Sequence, residues 1–545
     1  MTKGTPPTAL PLGFAALVLF GVLILPNHPE GLAWKAFFAA PLELPVILAG
    51  LVALGRWPGT RVIRGLLVAA LTLITIQKCA DMAMFTAFSR GFNPVADLSL
   101  VQAGVRLLAG SSGLALAALA VVAALAGVAL VASVVWWATG VWAALAPGAR
   151  MSRLSAAVTV LAAGVAVAQT GQAMRLWALP MALPGSATTA RLGIERLDLA
   201  ATTLTELRAF RAKAAADPYA GARGLLDRID RDVMIVFVES YGRTSLDTRL
   251  FADLHRATLE TAQARLAGLG LSMRSGFLQS PTRGGQSWLS HATLANGLWI
   301  DGQARYGAAL ASGRETIFHH AGRAGFHTAA VMPQITLDWP ESASMGFETI
   351  LPARDLGYAG KPFNWVTMPD QFTLTAFDRL LRDTTDNRPL FAQVVLASSH
   401  APWVPVPDLI DWASVGDGRV FDAMASRGDP PEVVWRDHDR VRAQYRLAID
   451  YSLRTVFDYA ARHADTAPLM IVVGDHQAAG FVALDDRRDV PIHVIGPDHL
   501  VSRVAGWGWH PGLIPMPDTP VIAMDRLHGL LLDTFSTTPP GRTTP

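Results

Sequence analysis

The sequence predicts a multi-pass helical membrane region followed by an α/β domain, with a mainly parallel central sheet covered by helices. Three observations carry this. Charged residues are sparse up to about position 180 and return at ordinary globular density from about 200, within a chain that is 51% hydrophobic and only 17% charged. Such unevenness marks two unlike parts. Apolar runs in the first part approach or exceed the ~20 residues needed to cross a hydrocarbon core. In the second part, short Val- and Ile-rich runs recur between helical stretches without alternating, as strands buried on both faces do.

The predicted spans are 9–26, 37–54, 62–85, 113–143 and 154–172. The fourth is long for one helix; tilt, or an interfacial portion, accommodates it. The first lacks a small-residue cleavage site and further apolar segments follow, so it reads as a span rather than a cleaved signal. With the N-terminus cytoplasmic, the inner side holds Lys3, Arg56, Arg61, Arg64, Arg150 and Arg153, against Lys35, Arg90 and Arg106 outside. That excess favours N-in, and five spans then place the C-terminal domain outside the cytoplasm. Trp57, Trp136, Trp137, Trp142 and Trp177 fall near segment ends, where interfacial aromatics belong. Lys78 and Asp81 lie inside the third segment at i,i+3 spacing. They read as an internal ion pair, as a helix end at the interface, or as a functional pair.

The expected organisation is a membrane domain over 1–180, a linker with juxtamembrane helices over 181–231, and an extracytoplasmic domain over 232–545. Asp217-Pro218 ends the helical stretch of the linker. The net charge of +2 and the absence of Lys/Arg runs interleaved with aromatics argue against nucleic acid. Cys79 is the sole cysteine, which excludes an intramolecular disulfide and a thiolate zinc cluster.

Strands are expected at 233–238, 328–332, 390–397, 469–473 and 490–495, and helices at 254–266, 316–324, 372–382 and 441–461. In sheets of this kind, sites form beyond the carboxyl ends of the strands. Glu239 follows the first strand, His400 the third and Asp475-His476 the fourth. One strand ending in a polar turn is ordinary; three ends carrying Glu, His and Asp-His together point to a metal site. The segment Ser280-Pro281-Thr282-Arg283-Gly284-Gly285-Gln286-Ser287-Trp288-Leu289-Ser290 supplies the middle of that site. Its glycines let backbone approach a ligand, and Ser287 opens a helix, where N–H groups favour anions. A plain helix cap remains open for Ser287. Arg283 is a phosphoryl contact or a surface charge. His510 is a site-lining residue or a structural loop histidine.

Val238-Glu239-Ser240, Ser287 followed by Leu294-Ala295-Asn296-Gly297-Leu298, Ser398-Ser399-His400-Ala401-Pro402 and Gly474-Asp475-His476 together resemble the alkaline phosphatase/sulfatase superfamily. The similarity is greatest to its membrane-anchored lipoteichoic acid synthase and phosphoglycerol transferase branch, with phosphoethanolamine transferases as relatives. The resemblance implies one divalent metal ion, Mn²⁺ or Zn²⁺, held by Glu239, Ser287, Asp475 and His476. It makes Ser287 the nucleophile, and His400 and Trp339 substrate-binding residues. It also implies an inner-membrane enzyme that moves a phosphoglycerol- or phosphoethanolamine-type headgroup from a membrane lipid donor to an envelope glycan or lipid. The alternatives are a phosphodiesterase or sulfatase-type hydrolase, or a non-catalytic membrane protein that keeps the fold for binding or sensing. Three positions depart from the branch. Ser287 stands where Thr is usual, Glu341 where a phosphate-binding arginine is expected, and Met332 where a substrate histidine is expected. Pro281 and Arg283 fit the end of the formylglycine motif, but Gln279 occupies the residue to be matured; that chemistry is not expected.

Overall fold

The computed structural model describes residues 9–32, 40–55, 57–88, 90–145, 147–179, 185–337 and 339–537. Lys3, Lys35, Arg56, the start of the second predicted span and the boundary at 180–181 lie outside the described residues. The chain divides into two compact units, Met1–Arg208 and Ala209–Pro545.

The first unit contains α1 (Ala9–Ile24), α2 (Glu43–Leu54), α3 (Thr60–Phe88), α4 (Leu98–Ser112), α5 (Leu114–Ala143), α6 (Ala149–Ala173) and most of α7 (Thr188–Ala215). Among the described residues, three stretches are long and apolar enough to cross a membrane: Thr60–Thr86, Leu114–Ala143 and Ala149–Ala173. Two of the five expected spans fall on α1 and α2, which are apolar but shorter. α1 has 16 residues and α2 only 12. α1 ends just before Pro26, which a continuing helix would not accept. α2 stops at Gly55, whose positive φ of 49° and N–H bond to the Leu51 carbonyl close the helix. α5 runs unbroken through the whole 113–143 stretch, and α4 is an amphipathic helix that the sequence reading lacks. α2 packs on α6, and α1 and α3 pack on α5. Leu119, Leu130, Val160 and Leu161 stand exposed on α5 and α6. Apolar side chains spread so widely over a surface suit hydrocarbon rather than water.

The second unit is built on one sheet. Its strands are β1 (Val233–Val238), β2 (Ser272–Gln279), β3 (His327–Met332), β4 (Thr349–Pro352), β5 (Leu390–Leu396), β6 (Leu469–Gly474), β7 (Asp489–Gly496), β8 (His510–Pro511) and β9 (Val521–Ala523). The order is β4-β3-β5-β1-β6-β7-β2-β8, with β9 beside β2. β4, β3, β5, β1 and β6 form a parallel block; β7 runs antiparallel to β6 and to β2. β1 is buried along its whole length, with Met234, Val236 and Val238 in one core and Val233, Ile235 and Phe237 in the other. Burial on both faces, worth about 1.5–3 kcal/mol for each large apolar side chain, is why the run is apolar throughout. The helices Arg249–Gly268 (α8) and His438–Arg462 (α9) pack on one another and supply the first core.

The register decides where the chemistry sits. Val238 pairs with Leu396 on one side and with Gly474 on the other. The residues that follow, Glu239, the 397–400 turn and Asp475-His476, therefore emerge together at the carboxyl edge.

Candidate metal and nucleophile site

Glu239, Asp475 and His476 are all buried, and one ligand atom from each lies within 4.8 Å of the others. The turn after β1 is held from two sides. Ser240, at φ 58°, donates its N–H to Asp475 Oδ1 at 2.8 Å, and Ser399 Oγ donates to the Glu239 carbonyl at 2.7 Å. The same Asp475 Oδ1 accepts the His476 N–H at 2.6 Å, so one carboxylate oxygen organises two strand ends. Its other oxygen, Oδ2, is buried with no hydrogen-bond partner. An unpartnered buried carboxylate oxygen is costly unless a cation or proton meets it.

Ser287 is the first residue of the helix Ser287–Asn296. The turn before it is left-handed at Gly284 and Gln286, with φ of 72° and 66°. Gly284 donates its N–H to the Gln477 carbonyl at 2.7 Å, which pins this turn beside the end of β6. No side chain caps the helix. Ser287 Oγ instead donates to Glu239 Oε2 at 3.0 Å and lies 3.2 Å from His476 Nε2. His476 Nδ1 donates to the Gln477 carbonyl at 3.0 Å. That bond fixes the tautomer and leaves Nε2 as the ligand atom, the arrangement usual for metal-bound histidines.

The charges agree with this geometry. Burial alone would raise the Glu239 carboxyl, but the adjacent His476 imidazolium holds it well below the usual range. Burial, then the Glu239 charge, pushes Asp475 up to about 8. Burial opposes the His476 imidazolium, yet Asp475 and Glu239 raise it to about 9. Two carboxylates, an imidazole and a hydroxyl converge on one point. Protons on Asp475 and His476 balance them when no cation is bound, and a divalent ion fits the same donor set.

The other candidates divide. His400 follows β5; its Nδ1–H meets the Ala401 carbonyl at 2.5 Å, and its charge reaches Glu239. Arg283 bonds Asp486 Oδ1 at 2.8 Å on the surface. Trp339 packs against Phe347 with ring centroids 6.3 Å apart. Met332 ends β3 and takes the Gln393 Nε2 donor on its sulfur at 3.4 Å. His510 lies on β8, where it pairs with Ser275 in the middle of β2. β7 and β2 separate it from β6, so the structure does not bring it to the cluster.

Sequence reasoning missed His291, one helical turn after Ser287. It is buried against Phe237 with ring centroids 4.1 Å apart, and its Nε2 has no partner. Ser280 and Ser290, the ends of the predicted middle segment, bond each other at 2.9 Å, and Ser280 Oγ further donates to the Asp475 carbonyl at 2.6 Å. The i,i+4 spacing of Ser287 and His291 was the available signal.

A doubly covered, mostly parallel sheet with an acidic, histidine-bearing cluster and a hydroxyl at its carboxyl edge defines an α/β enzyme domain. Residues 231–486 match the Sulfatase family model. The match identifies this part of the chain as a sulfatase-type domain of the alkaline phosphatase superfamily, the enzymes of which are phosphotransferases and ester hydrolases. No curated protein matches the chain by sequence. Among solved structures it is similar to the lipoteichoic acid synthase LtaP from Listeria monocytogenes (13% identity, 58% of this chain and 74% of that one, TM-score 0.36). It is also similar to the phosphoglycerol transferase GacH from Streptococcus pyogenes, solved with sn-glycerol-1-phosphate (13%, 62% and 83%, 0.37). A third likeness is to the C-terminal periplasmic domain of EptC from Escherichia coli (13%, 56% and 82%, 0.35).

Proposed function

We propose that the protein transfers a phospho-alcohol headgroup, of the phosphoglycerol or phosphoethanolamine type, from a membrane lipid donor to an envelope glycan or lipid. The observation that carries this reading is the position of Ser287. Its hydroxyl opens a ten-residue helix and lies 3.0 Å from Glu239 and 3.2 Å from His476. Glu239, Ser287, Asp475 and His476 would hold one Mn²⁺ or Zn²⁺. Such an ion supplies Lewis acidity, favouring the serine alkoxide and offsetting phosphoryl charge.

Ser287 Oγ attacks the phosphorus of the diester as its proton passes to Glu239 Oε2, the oxygen it already donates to. The P–O bond to the lipid alcohol breaks, leaving a phospho-serine. Backbone N–H groups over 285–287 face the phosphoryl oxygens at the helix start. His400 Nε2, free of hydrogen bonds among the described residues, protonates the departing alcoholate. An acceptor hydroxyl, its proton taken by His400 Nε2, then attacks the phospho-serine; the P–O bond to Ser287 breaks and Oγ takes its proton back from Glu239. Arg283, Trp339 and His510 are weaker candidates for substrate binding, since Arg283 is paired with Asp486 and His510 sits apart.

In this reading 1–180 is the inner-membrane domain with a cytoplasmic N-terminus, 181–231 the linker and 232–545 the extracytoplasmic catalytic domain. Hydrolysis uses the same first half-reaction with water as acceptor. The test is product analysis by mass spectrometry, with headgroup-labelled phosphatidylglycerol and phosphatidylethanolamine. Transfer gives a labelled glycan or lipid, whereas hydrolysis gives only the free phospho-alcohol. Ser287→Ala should lower turnover at least ~10³-fold while Glu239, Asp475 and His476 still retain most of the metal; retained turnover would rule out the phospho-serine.

A further inference from the structure

Lys78 and Asp81, one turn apart on α3, do not pair with each other. Asp81 accepts from Gln77 Nε2 at 2.9 Å, the Phe92 N–H at 2.8 Å, Arg196 Nη2 at 2.9 Å and Asn27 Nδ2 at 3.3 Å. Lys78 is 3% exposed, and its ammonium donates to the Leu23 carbonyl at 2.9 Å, the Val22 carbonyl at 3.3 Å and Thr189 Oγ1 at 2.9 Å. Its partners are thus the carbonyl end of α1 and a hydroxyl. Dipoles of this kind orient an ammonium, and the Glu43 carboxylate, whose buried Oε2 has no hydrogen-bond partner, adds an opposite charge from further away. Among the described residues no carboxylate lies within ion-pair distance of it. Charged groups set inside an apolar helical unit mark a place where a polar ligand is held.

Lys78 forms part of the wall of a cavity of about 220 Å³ inside the first unit. The cavity lies between the end of α1, with Asn27 just beyond it, and the first two turns of α7. Arg191 also lines it. The guanidinium makes no hydrogen bond among the described residues, and its buried Nε stands 3.6 Å from Glu195 Oε1. Asn27, Ser186 and Thr188 add polar groups, and Ile24, Leu25 and Leu192 an apolar wall. Two cations, a half-exposed carboxylate one helical turn further on, and an apolar flank form a set with a definite complement.

We propose that this cavity binds the headgroup of a zwitterionic membrane phospholipid. The phosphate lies against Arg191 in the field of Lys78, the headgroup ammonium against Glu195, and the acyl chains along the apolar wall. Arg191 offers the fork geometry that suits phosphate oxygens. The inference does not depend on the reaction at Ser287. It rests on the first unit lying in lipid.

The full-length protein in detergent is titrated by native mass spectrometry with phosphatidylethanolamine, phosphatidylglycerol and inorganic phosphate. Phosphatidylethanolamine carrying a headgroup photolabel maps the bound position. Phosphatidylethanolamine is expected to bind best and to label peptides within 186–195. Arg191→Gln should weaken it at least ~10-fold, and Arg191→Lys should recover part of the loss. Glu195→Gln should remove the preference over phosphatidylglycerol. Ser287→Ala and metal-stripped protein should bind as the native chain does, even if no headgroup transfer is ever detected. Unchanged affinity in Arg191→Gln, labelling confined to the soluble domain, or competition by inorganic phosphate at equal strength would each overturn the proposal. Both substituted side chains are partly exposed, and a melting temperature kept within a few degrees identifies a binding effect rather than misfolding.

Discussion

At the scale of single residues, Asp475 does the most with the fewest atoms. Its Oδ1 takes two backbone N–H groups and so joins the β1 and β6 ends, while Oδ2 is left for a cation. The two roles separate in one substitution. Asp475→Asn keeps an oxygen acceptor for Ser240 and His476 but loses the charge, so metal occupancy should fall at least ~10-fold while the fold persists. Elemental analysis against circular dichroism reads both; full occupancy in the variant would remove Asp475 from the ligand set. Chelation should inactivate the native protein, with activity returning on added Mn²⁺ or Zn²⁺. Asp475-His476 and Glu239 were legible in the sequence because each directly follows an apolar run. The unpartnered state of Oδ2 was not, since it depends on which oxygen faces the Ser240 turn. Ser287 was legible only as a residue at a helix start. That it bonds Glu239 rather than capping its helix follows from the left-handed Gln286 ahead of it.

Among the elements, the end of β6 is the tightest point. A Cβ on Gly474 would lie 1.9 Å from the Tyr241 carbonyl oxygen, and Val490 is 3.1 Å away. The close atom is backbone, so it cannot turn aside. Gly474→Ala must part β6 from the turn after β1, the two segments that carry Asp475 and Glu239. We expect a loss of about 1–3 kcal/mol in denaturant unfolding and a larger proportional loss of turnover. Native stability and native turnover together would show that this approach is not needed. The strands that the sequence revealed, β1, β3, β5, β6 and β7, are those whose two faces are both buried. β2 escaped because Arg274, Ser272 and Ser275 interrupt its apolar pattern. Ser275 is nonetheless fully buried, paired with His493 Nδ1 at 2.8 Å and with the Gly512 carbonyl at 2.7 Å. Tertiary hydrogen bonds outweigh local polarity there. β4, β8 and β9 have four, two and three residues, too short to show a period. In the first unit hydropathy located the apolar runs and the carboxyl ends of α1 and α2, where Pro26 and Gly55 stop the helices.

For the molecule as a whole, the catalytic domain keeps several uncharged histidines inside its cores, and this sets its behaviour in acid. His493 lies between Ser275 and Tyr241, with Nε2 3.1 Å from the Tyr241 hydroxyl. Burial holds it down at about 3. His528 donates Nδ1–H to the Ala295 carbonyl at 2.9 Å; burial, with the nearby His320 and Arg314 charges, lowers it to about 3. Both are neutral in the folded state across the ordinary range, whereas in the unfolded chain they take up protons below about 6.5. Between those values the unfolded state binds more protons, so stability rises with pH. The contribution is complete above about 6.5 and is lost as pH falls toward 3, at about 1.4 kcal/mol per pH unit for each histidine. Urea unfolding of the full chain at pH 7.5, 6.0 and 5.0 should show the decline beginning below 6.5, and His493→Gln should flatten it by one proton's worth. The slope is the readout rather than the absolute stability, so a variant that is weaker at every pH still answers the question. An unaltered slope in His493→Gln would mean that His493 is already protonated inside the fold, against the tautomer its two partners impose.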